Sequence, residues 1–113
     1  MLPRQYRLRR DRDIRRVLQS RLTRRGRYLL VRGVRRDTGP ARLTVVVSSR
    51  VSKKATVRNR IKRQVRARLG RHLPHIPAGR DYLVSVLPRA PLPTAGDLTR
   101  DIEQIFPPAH RSS

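Results

Sequence analysis

The segment "TVRNRIKRQVRARLG", residues 56 to 70, constrains the fold more than any other part of the chain. Its apolar residues recur every four positions: Val57, Ile61, Val65 and Leu69. This spacing predicts a helix with one apolar stripe, with Thr56 as its N-cap and an end near Leu73. Because arginine and lysine occupy most other positions, the stripe must pack against the rest of the protein and the cationic side must face outward.

The cationic side of this helix favours a polyanion as partner over simple solvation. A helix that is only solvated usually mixes signs of charge, since Glu–Lys pairs four residues apart stabilise it. Here no acid occurs between Arg58 and Arg80. The loop before the helix adds further cations beside its N-terminus, where free amides favour anions. The residues expected to bind are Arg50, Lys53, Lys54, Arg58, Asn59, Arg60, Lys62, Arg63 and Arg66.

The composition supports nucleic acid as that polyanion. Lys and Arg number 29 against 7 Asp and Glu, a formal net charge of +22, so the chain repels itself unless it meets a polyanion. An anionic membrane is less favoured, because no stretch combines a basic face with large aromatic anchors and no apolar run reaches 18 residues. The chain has no cysteine, which excludes disulfides and thiolate metal sites. We expect a cytoplasmic protein.

The remaining periodicities predict one α+β domain, an α/β sandwich in which a central, mostly antiparallel sheet of about four strands packs against three helices. Besides the basic helix, residues 10 to 20 and 97 to 106 have helical apolar faces. Strands are predicted over 26 to 34, 41 to 49 and 81 to 87, with a further short strand near 22 to 25. Thr94 and Asp97 resemble a capping box.

The domain is expected to span residues 1 to 106, with a flexible arm over 1 to 7 and a disordered tail over 107 to 113. The turn between the first two long strands is expected at Asp37, Gly39 and Pro40.

No catalytic or metal-binding group is predicted in the chain. Asp97 and Asp101 are four residues apart, but capping and surface roles are favoured over a shared metal. His72 and His75 have no cysteine and few acids nearby, which disfavours zinc. No nucleophile with a base is present. Tyr28 and Tyr82 are as consistent with the edge of the core as with a base-stacking platform.

The ordered motifs resemble the protein subunit of bacterial ribonuclease P. The resemblance rests on "RVSKKATVRNRIKRQVR" after a Val-rich strand, on "DYLVSVLPRA" after it, and on "YRLRRDRDIRRV" at the start. It covers about residues 4 to 106. It implies a left-handed β-α-β crossover around the basic helix, and an endoribonuclease whose active site and Mg²⁺ lie in the RNA subunit. The implied function is to assist that RNA in removing the 5′ leader from precursor tRNA.

The resemblance also implies the partners and a second site. The partners are the catalytic RNA subunit and precursor tRNA, with no membrane and no obligatory protein partner. The basic helix faces the RNA subunit, and a cleft between the first helix and the sheet holds the single-stranded leader. The matching cleft residues are Ile14, Leu18, Tyr28 and Arg32. The family commonly has Phe where Ile14 stands, so Arg32 is expected to supply part of the stacking.

Two other functions fit the composition. A ribosomal or other structural RNA-binding protein would associate with RNA without affecting leader removal. A nucleoid protein would bind any DNA duplex with comparable affinity. The ordered motifs favour the ribonuclease P subunit over both.

Overall fold

The computed structural model describes residues 3–21, 23–36 and 39–107. Within them lie three α-helices and four strands, in the order that the periodicities predict. They are α1 (Asp11–Leu18), β1 (Thr23–Arg25), β2 (Leu29–Arg35), β3 (Arg42–Val46), α2 (Ala55–His72), β4 (Arg80–Val86) and α3 (Ala95–Ile105). Single 3-10 turns lie at Arg4–Tyr6 and Leu73–His75.

The four strands form one sheet in the order β1-β2-β4-β3. The β1–β2 and β2–β4 pairs are antiparallel, and β3 pairs with β4 in parallel. The predicted α+β class and mostly antiparallel sheet are therefore confirmed. The parallel pair is connected through α2, which makes a β-α-β unit. Its left-handedness stays a prediction from the family resemblance.

One face of the sheet carries the main core, because alternate strand residues point to the same side. From β2, β3 and β4 this face presents Leu29, Val31, Leu43, Val45, Tyr82, Val84 and Val86, all buried. From α2 and α3 it receives Ile61, Val65, Leu69, Leu98, Ile102, Ile105 and, just past α3, Phe106. The two longer helices therefore cover one side of the sheet together.

The apolar stripe of α2 packs against the core as predicted, with Val57 half-buried at its start and the other three residues buried. Ile61 is 2% exposed, and Val65 and Leu69 are 0% exposed. Each such side chain contributes about 1.5–3 kcal/mol when buried. Like-charge pairs along a helix cost only about 0.2–0.5 kcal/mol each. Packing of the stripe therefore outweighs the repulsion between the cations of α2.

The N-terminus of α2 differs from the prediction. The N-cap is Lys54, with no side-chain cap, and Thr56 lies inside the first turn, so its prediction as N-cap was wrong. The preceding loop explains the difference. Arg58 Nη1 donates to the carbonyl oxygen of Ser52 at 2.8 Å, and the Lys54 amide donates to Ser52 Oγ at 3.3 Å. These contacts between loop and helix take the place of a threonine cap.

The other face of the sheet is covered by α1 over part of its area. Val17 of α1 packs with Leu8 and Leu83, and Ile14 and Val34 adjoin them. Beside this cluster the carboxylate of Asp81 on β4 is completely buried. Arginines from three segments converge on it: Arg42 with two hydrogen bonds of 2.8 Å, Arg36 at 2.9 Å and Arg16 of α1 at 3.6 Å. The hydrogen bond to Asp81 raises the pKa of Arg42 above its ordinary value.

A second buried carboxylate, Asp101, attaches α3 to the connection between β1 and β2. It accepts hydrogen bonds from the backbone amides of Arg27, Tyr28 and Leu29, at 3.1, 2.6 and 2.9 Å. A Cβ on Gly26 would lie 2.5 Å from Asp101 Cγ, so only glycine lets the two segments approach. Three backbone amides, of which those of Tyr28 and Leu29 are buried, are thereby satisfied by one side chain.

The capping box at the start of α3 is present as predicted. Thr94 Oγ1 accepts from the Asp97 amide at 3.1 Å, and the Thr94 amide donates to Asp97 Oδ2 at 2.9 Å. The backbone hydrogen bond from Thr94 lowers the pKa of Asp97. This cap is therefore fully present above the ordinary carboxyl pKa and is lost as the pH falls through the lowered one.

The structure describes most of the N-terminal segment but little of the C-terminal tail. In the segment expected as a flexible arm, Arg4–Tyr6 form a 3-10 turn, and the Leu8 amide that follows donates to the carbonyl oxygen of Leu43 at 2.7 Å. Of the expected tail, Pro107 is exposed and residues 108 to 113 lie outside the described residues. Asp37 of the expected turn lies outside them too.

We predict that Asp101→Asn destabilises the fold by about 3 kcal/mol, because asparagine replaces one of the two acceptor oxygens by an NH₂ group, which then faces a backbone N–H without accepting from it. The measurement is the free energy of unfolding by chemical denaturation. Glu103→Gln, an exposed change on the same helix, is the matched control and should alter stability by less than about 0.5 kcal/mol. Equal losses in the two variants would show that Asp101 is not the anchor of α3.

Candidate nucleic-acid interface

The residues expected to bind RNA form one continuous surface on α2 and the loop before it, here called the basic surface. Six of its members are exposed: Arg50, Lys53, Lys54, Asn59, Arg60 and Arg63. Three are half-buried: Arg58, Lys62 and Arg66. Their position follows from the helix, since burying the stripe of Ile61, Val65 and Leu69 turns these side chains outward.

The cations of the basic surface are not neutralised by acids of the described chain. The ion pairs found among the described residues involve Arg16, Arg36, Arg42 and Arg100, none of which belongs to α2. The acids that form them are Asp13, Asp81 and Asp97, on the far face of the sheet or at the start of α3. The basic surface therefore keeps its positive charge for an external anion.

The start of α2 adds to the attraction for anions. Its N-terminus has no side-chain cap, and its first turn contains no acid. The amides of that turn and the positive end of the helix dipole therefore favour a phosphate group there. The exposed Lys53 and Lys54 stand beside this end of the helix.

Part of the sheet face next to α1 stays uncovered, and we call it the open strip. Strand register places Leu30, Ser85 and Val46 in one row across β2, β4 and β3. Val46 is 43% exposed, and Leu18 at the end of α1 is 49% exposed. Arg32 completes the strip, and its Nη1 lies 3.5 Å from the carbonyl oxygen of Leu18. The strip thus combines exposed aliphatic groups with one planar guanidinium.

The four residues expected to line the leader cleft are in different environments. Leu18 and Arg32 are in the open strip, and Ile14 is half-buried against the α1 cluster. Tyr28 is only 2% exposed. Its hydroxyl donates to the carbonyl oxygen of Pro91 at 3.1 Å, and the Arg27 guanidinium lies 5.4 Å from its ring centroid. The Tyr28 ring is therefore enclosed and does not present a stacking surface.

Tyr82, the other tyrosine considered for stacking, lies on the core face of the sheet, opposite the open strip, and is 5% exposed. Sequence reasoning missed Leu30, Val46 and Ser85 as members of the strip. The signal was present in the third strand, where Val46 is an apolar residue at a position that alternates away from the core.

The acids and histidines do not fit a resident metal ion. Among residues 3–21, 23–36 and 39–107, no three His, Cys, Asp or Glu side chains lie together. Asp97 serves the capping box and Asp101 the backbone amides, which occupies both carboxylates. The Nε2 of His72 is hydrogen-bonded to the carbonyl oxygen of Phe106. Over the same residues, no helix combines the length and apolar character needed to cross a bilayer.

Comparison with known proteins decides the family. A family model described as Ribonuclease P matches residues 2–110. The chain belongs to the ribonuclease P protein family. The ribonuclease P protein component of Synechocystis sp. is 39% identical over 106 residues, which cover 93% of this chain and 86% of that protein. The component from Acidothermus cellulolyticus is 35% identical over 107 residues, with 94% and 89% covered.

Solved ribonuclease P proteins have the same fold. The protein from Thermotoga maritima superposes with a TM-score of 0.76 at 25% identity, covering 93% of this chain and 98% of that one. A Staphylococcus aureus ribonuclease P protein, a mutant with defective mRNA degradation activity, gives a TM-score of 0.78 at 25% identity, with 88% and 84% covered.

The family confirms the predicted function. Ribonuclease P is a tRNA-processing endoribonuclease, and its protein component is an RNA-binding subunit of a ribonucleoprotein. This agrees with a chain that offers charge and shape but no predicted catalytic group. The comparisons give no support to the ribosomal alternative.

We predict opposite stability effects for two arginines of α2 in the absence of RNA. Arg63→Ala removes a like charge close to Arg60 and Arg66, so stability should stay equal or rise by a few tenths of a kcal/mol. Arg68→Ala should cost about 1–2 kcal/mol, because Arg68 donates to Ala95 O, Thr99 Oγ1 and Gln64 O. Thermal and chemical unfolding measure both. A substantial loss for Arg63→Ala would mean that its guanidinium has a structural role.

Proposed function

We propose that the chain assists its catalytic RNA through two separate surfaces. The basic surface binds the folded RNA subunit, and the open strip binds the single-stranded 5′ leader of precursor tRNA. The observation that carries the proposal is the outward basic surface, whose cations have no acidic partner in the described part of the chain. The guanidinium group of arginine can donate two parallel hydrogen bonds to the oxygens of one phosphate, so an RNA backbone matches this surface.

The open strip supports leader binding by its chemistry. Leu18, Val46 and Leu30 offer apolar contact to unstacked bases, and Arg32 offers a planar group for stacking. Stacking on side chains tolerates any base, which suits leaders of varied sequence. With Tyr28 enclosed, we expect weaker stacking than an aromatic cleft would give.

The two surfaces adjoin along one edge of the sheet. β3 is an edge strand that ends at Val46, and the loop from residue 47 to 54 continues directly from it to α2. A leader on the strip would therefore run close to the RNA bound by Arg50, Lys53 and Lys54. Their positive charge reduces the repulsion between the two phosphate backbones, which is greatest when little Mg²⁺ is present.

The chain itself orients the leader and neutralises RNA phosphates, and it takes no part in bond cleavage. The Mg²⁺ that activates water and stabilises the leaving oxygen is expected mainly on the RNA subunit. The partners of this chain would be that RNA and precursor tRNA, with no obligatory protein partner and no membrane, in the cytoplasm.

We predict that the two surfaces can be separated by mutation. The double variant Arg60→Ala/Arg63→Ala should weaken binding to the RNA subunit about a hundredfold or more, since each lost charge-assisted contact contributes about 1.5–3 kcal/mol. The double variant Leu18→Ala/Arg32→Ala should leave that binding unchanged and weaken the binding of precursor tRNA, relative to that of mature tRNA, about tenfold. The affinity of each variant for the RNA subunit measures the first effect, and the affinities of the assembled enzyme for both tRNAs measure the second.

Leader removal at low Mg²⁺ is the activity test. The chain alone should cleave nothing, and adding it to its RNA subunit should restore cleavage of precursor tRNA. Arg12→Ala, an exposed change outside both surfaces, is the control. If both double variants affect mature and precursor tRNA equally, the assignment of two surfaces is wrong. If the chain fails to restore cleavage with a suitable RNA, the function itself is rejected.

A further inference from the structure

A cavity of about 400 Å³ lies on the core side of the sheet, away from both proposed RNA surfaces. It opens at the corner where the short strand β1 begins, between β2 and the C-terminal end of α3. Its volume is in the range of small-ligand sites, about 300–1,000 Å³. None of its lining residues belongs to the basic surface.

The rim of this cavity is cationic. Arg35 and Arg80 lie directly opposite each other in the antiparallel β2–β4 register, an arrangement that destabilises a sheet when the charges are alike. Neither arginine is in an ion pair within the described residues, and no acid lines the cavity there. Arg24 forms a fixed wall, because its Nη1 donates to the carbonyl oxygen of Ile105 at 2.9 Å. The two facing arginines therefore favour an anionic group as ligand.

The floor of the cavity is apolar and aromatic. Tyr82 and Phe106 meet edge to face with ring centroids 5.2 Å apart, and Ile105 and Val31 complete the floor. Gly33 lets the Tyr82 ring lie close against β2, since a Cβ at that position would lie 3.1 Å from two atoms of the ring.

The direction of the Tyr82 pKa agrees with this arrangement. Burial raises the pKa of Tyr82, and the charges of Arg80 and Arg24 partly oppose that rise. Both guanidinium groups are therefore close enough to the phenol for their charge to act on it, which places cations and aromatic floor in one site.

We propose that this cavity binds a nucleotide, with the base against the floor and the phosphate between Arg35 and Arg80. A bare phosphate would leave the apolar floor unused, and a neutral aromatic molecule would leave the facing arginines unneutralised. Guanidinium N–H groups donate hydrogen bonds to phosphate oxygens, and a planar base can pack against a floor built from ring edges and aliphatic groups. The nucleotide comes either from solution or from an unpaired position of an RNA chain.

The direct test is a titration of the full chain with AMP, adenosine and inorganic phosphate, followed through the methyl resonances of Ile105 and Val31. AMP should shift both resonances and bind about tenfold or more tightly than either fragment. The variant Arg35→Ala/Arg80→Ala should weaken the binding of AMP about tenfold or more, as expected for lost charge-assisted contacts. Its fold should survive, because the change removes two facing like charges; a thermal melt checks this.

The control variant Arg12→Ala/Arg15→Ala removes two exposed charges from α1, on the opposite face of the sheet. A second measurement compares the affinity of Arg35→Ala/Arg80→Ala for the RNA subunit with that of Arg12→Ala/Arg15→Ala. AMP binding with unchanged RNA affinity identifies a free nucleotide as the ligand. A selective loss of RNA affinity in Arg35→Ala/Arg80→Ala identifies a nucleotide of the RNA.

Two results would overturn the proposal. One is that Arg35→Ala/Arg80→Ala matches the control for both AMP and RNA. The other is that inorganic phosphate binds as tightly as AMP without shifting the floor methyl groups, which would show a simple anion site. Neither result bears on the basic surface or the open strip, so the proposed function is tested independently.

Discussion

The packing of one apolar stripe against the sheet determines how the rest of the molecule is used. Ile61, Val65 and Leu69 are almost completely removed from solvent, and together they contribute roughly 5–9 kcal/mol. That gain exceeds the repulsion among the cations of α2 severalfold. Without the sheet to pack against, a segment with this density of like charge would form a helix of low stability. With the sheet, the same charges are held outward in a fixed pattern.

The few acids of the chain stabilise the fold at positions remote from that surface. Asp81 draws Arg36, Arg42 and Arg16 toward the sheet face that α1 covers, and Asp101 fastens α3 by three backbone amides. Because these carboxylates are buried and occupied, they do not compete with RNA phosphates for the basic surface. A chain with a net charge of +22 thus has an ordered interior and an exposed face that needs an external partner.

The sequence was informative wherever a regular pattern reflects burial. The stripe of α2, the alternation in β3 and the Thr94–Asp97 capping box all follow from spacing, and each was found where predicted. Features that join distant segments were not predictable in this way. The carboxylate of Asp81 meets Arg42, Arg36 and Arg16 from three separate segments, and that of Asp101 meets amides 72 to 74 residues away, and no local pattern encodes such contacts. The enclosure of Tyr28 depends on Pro91 in the same way.

We infer that the outward cations of α2 bind RNA phosphates. The affinity of the chain for its RNA subunit between 50 and 200 mM monovalent salt tests this binding. With roughly 6–10 phosphate contacts, the affinity should fall about 10³–10⁵-fold over that range. Replacing Arg60, Lys62 and Arg63 together by alanine should lower the slope of log affinity against log salt by about 2–3. A flat salt response, or the same slope in the triple variant, would show that these cations do not bind the RNA phosphates.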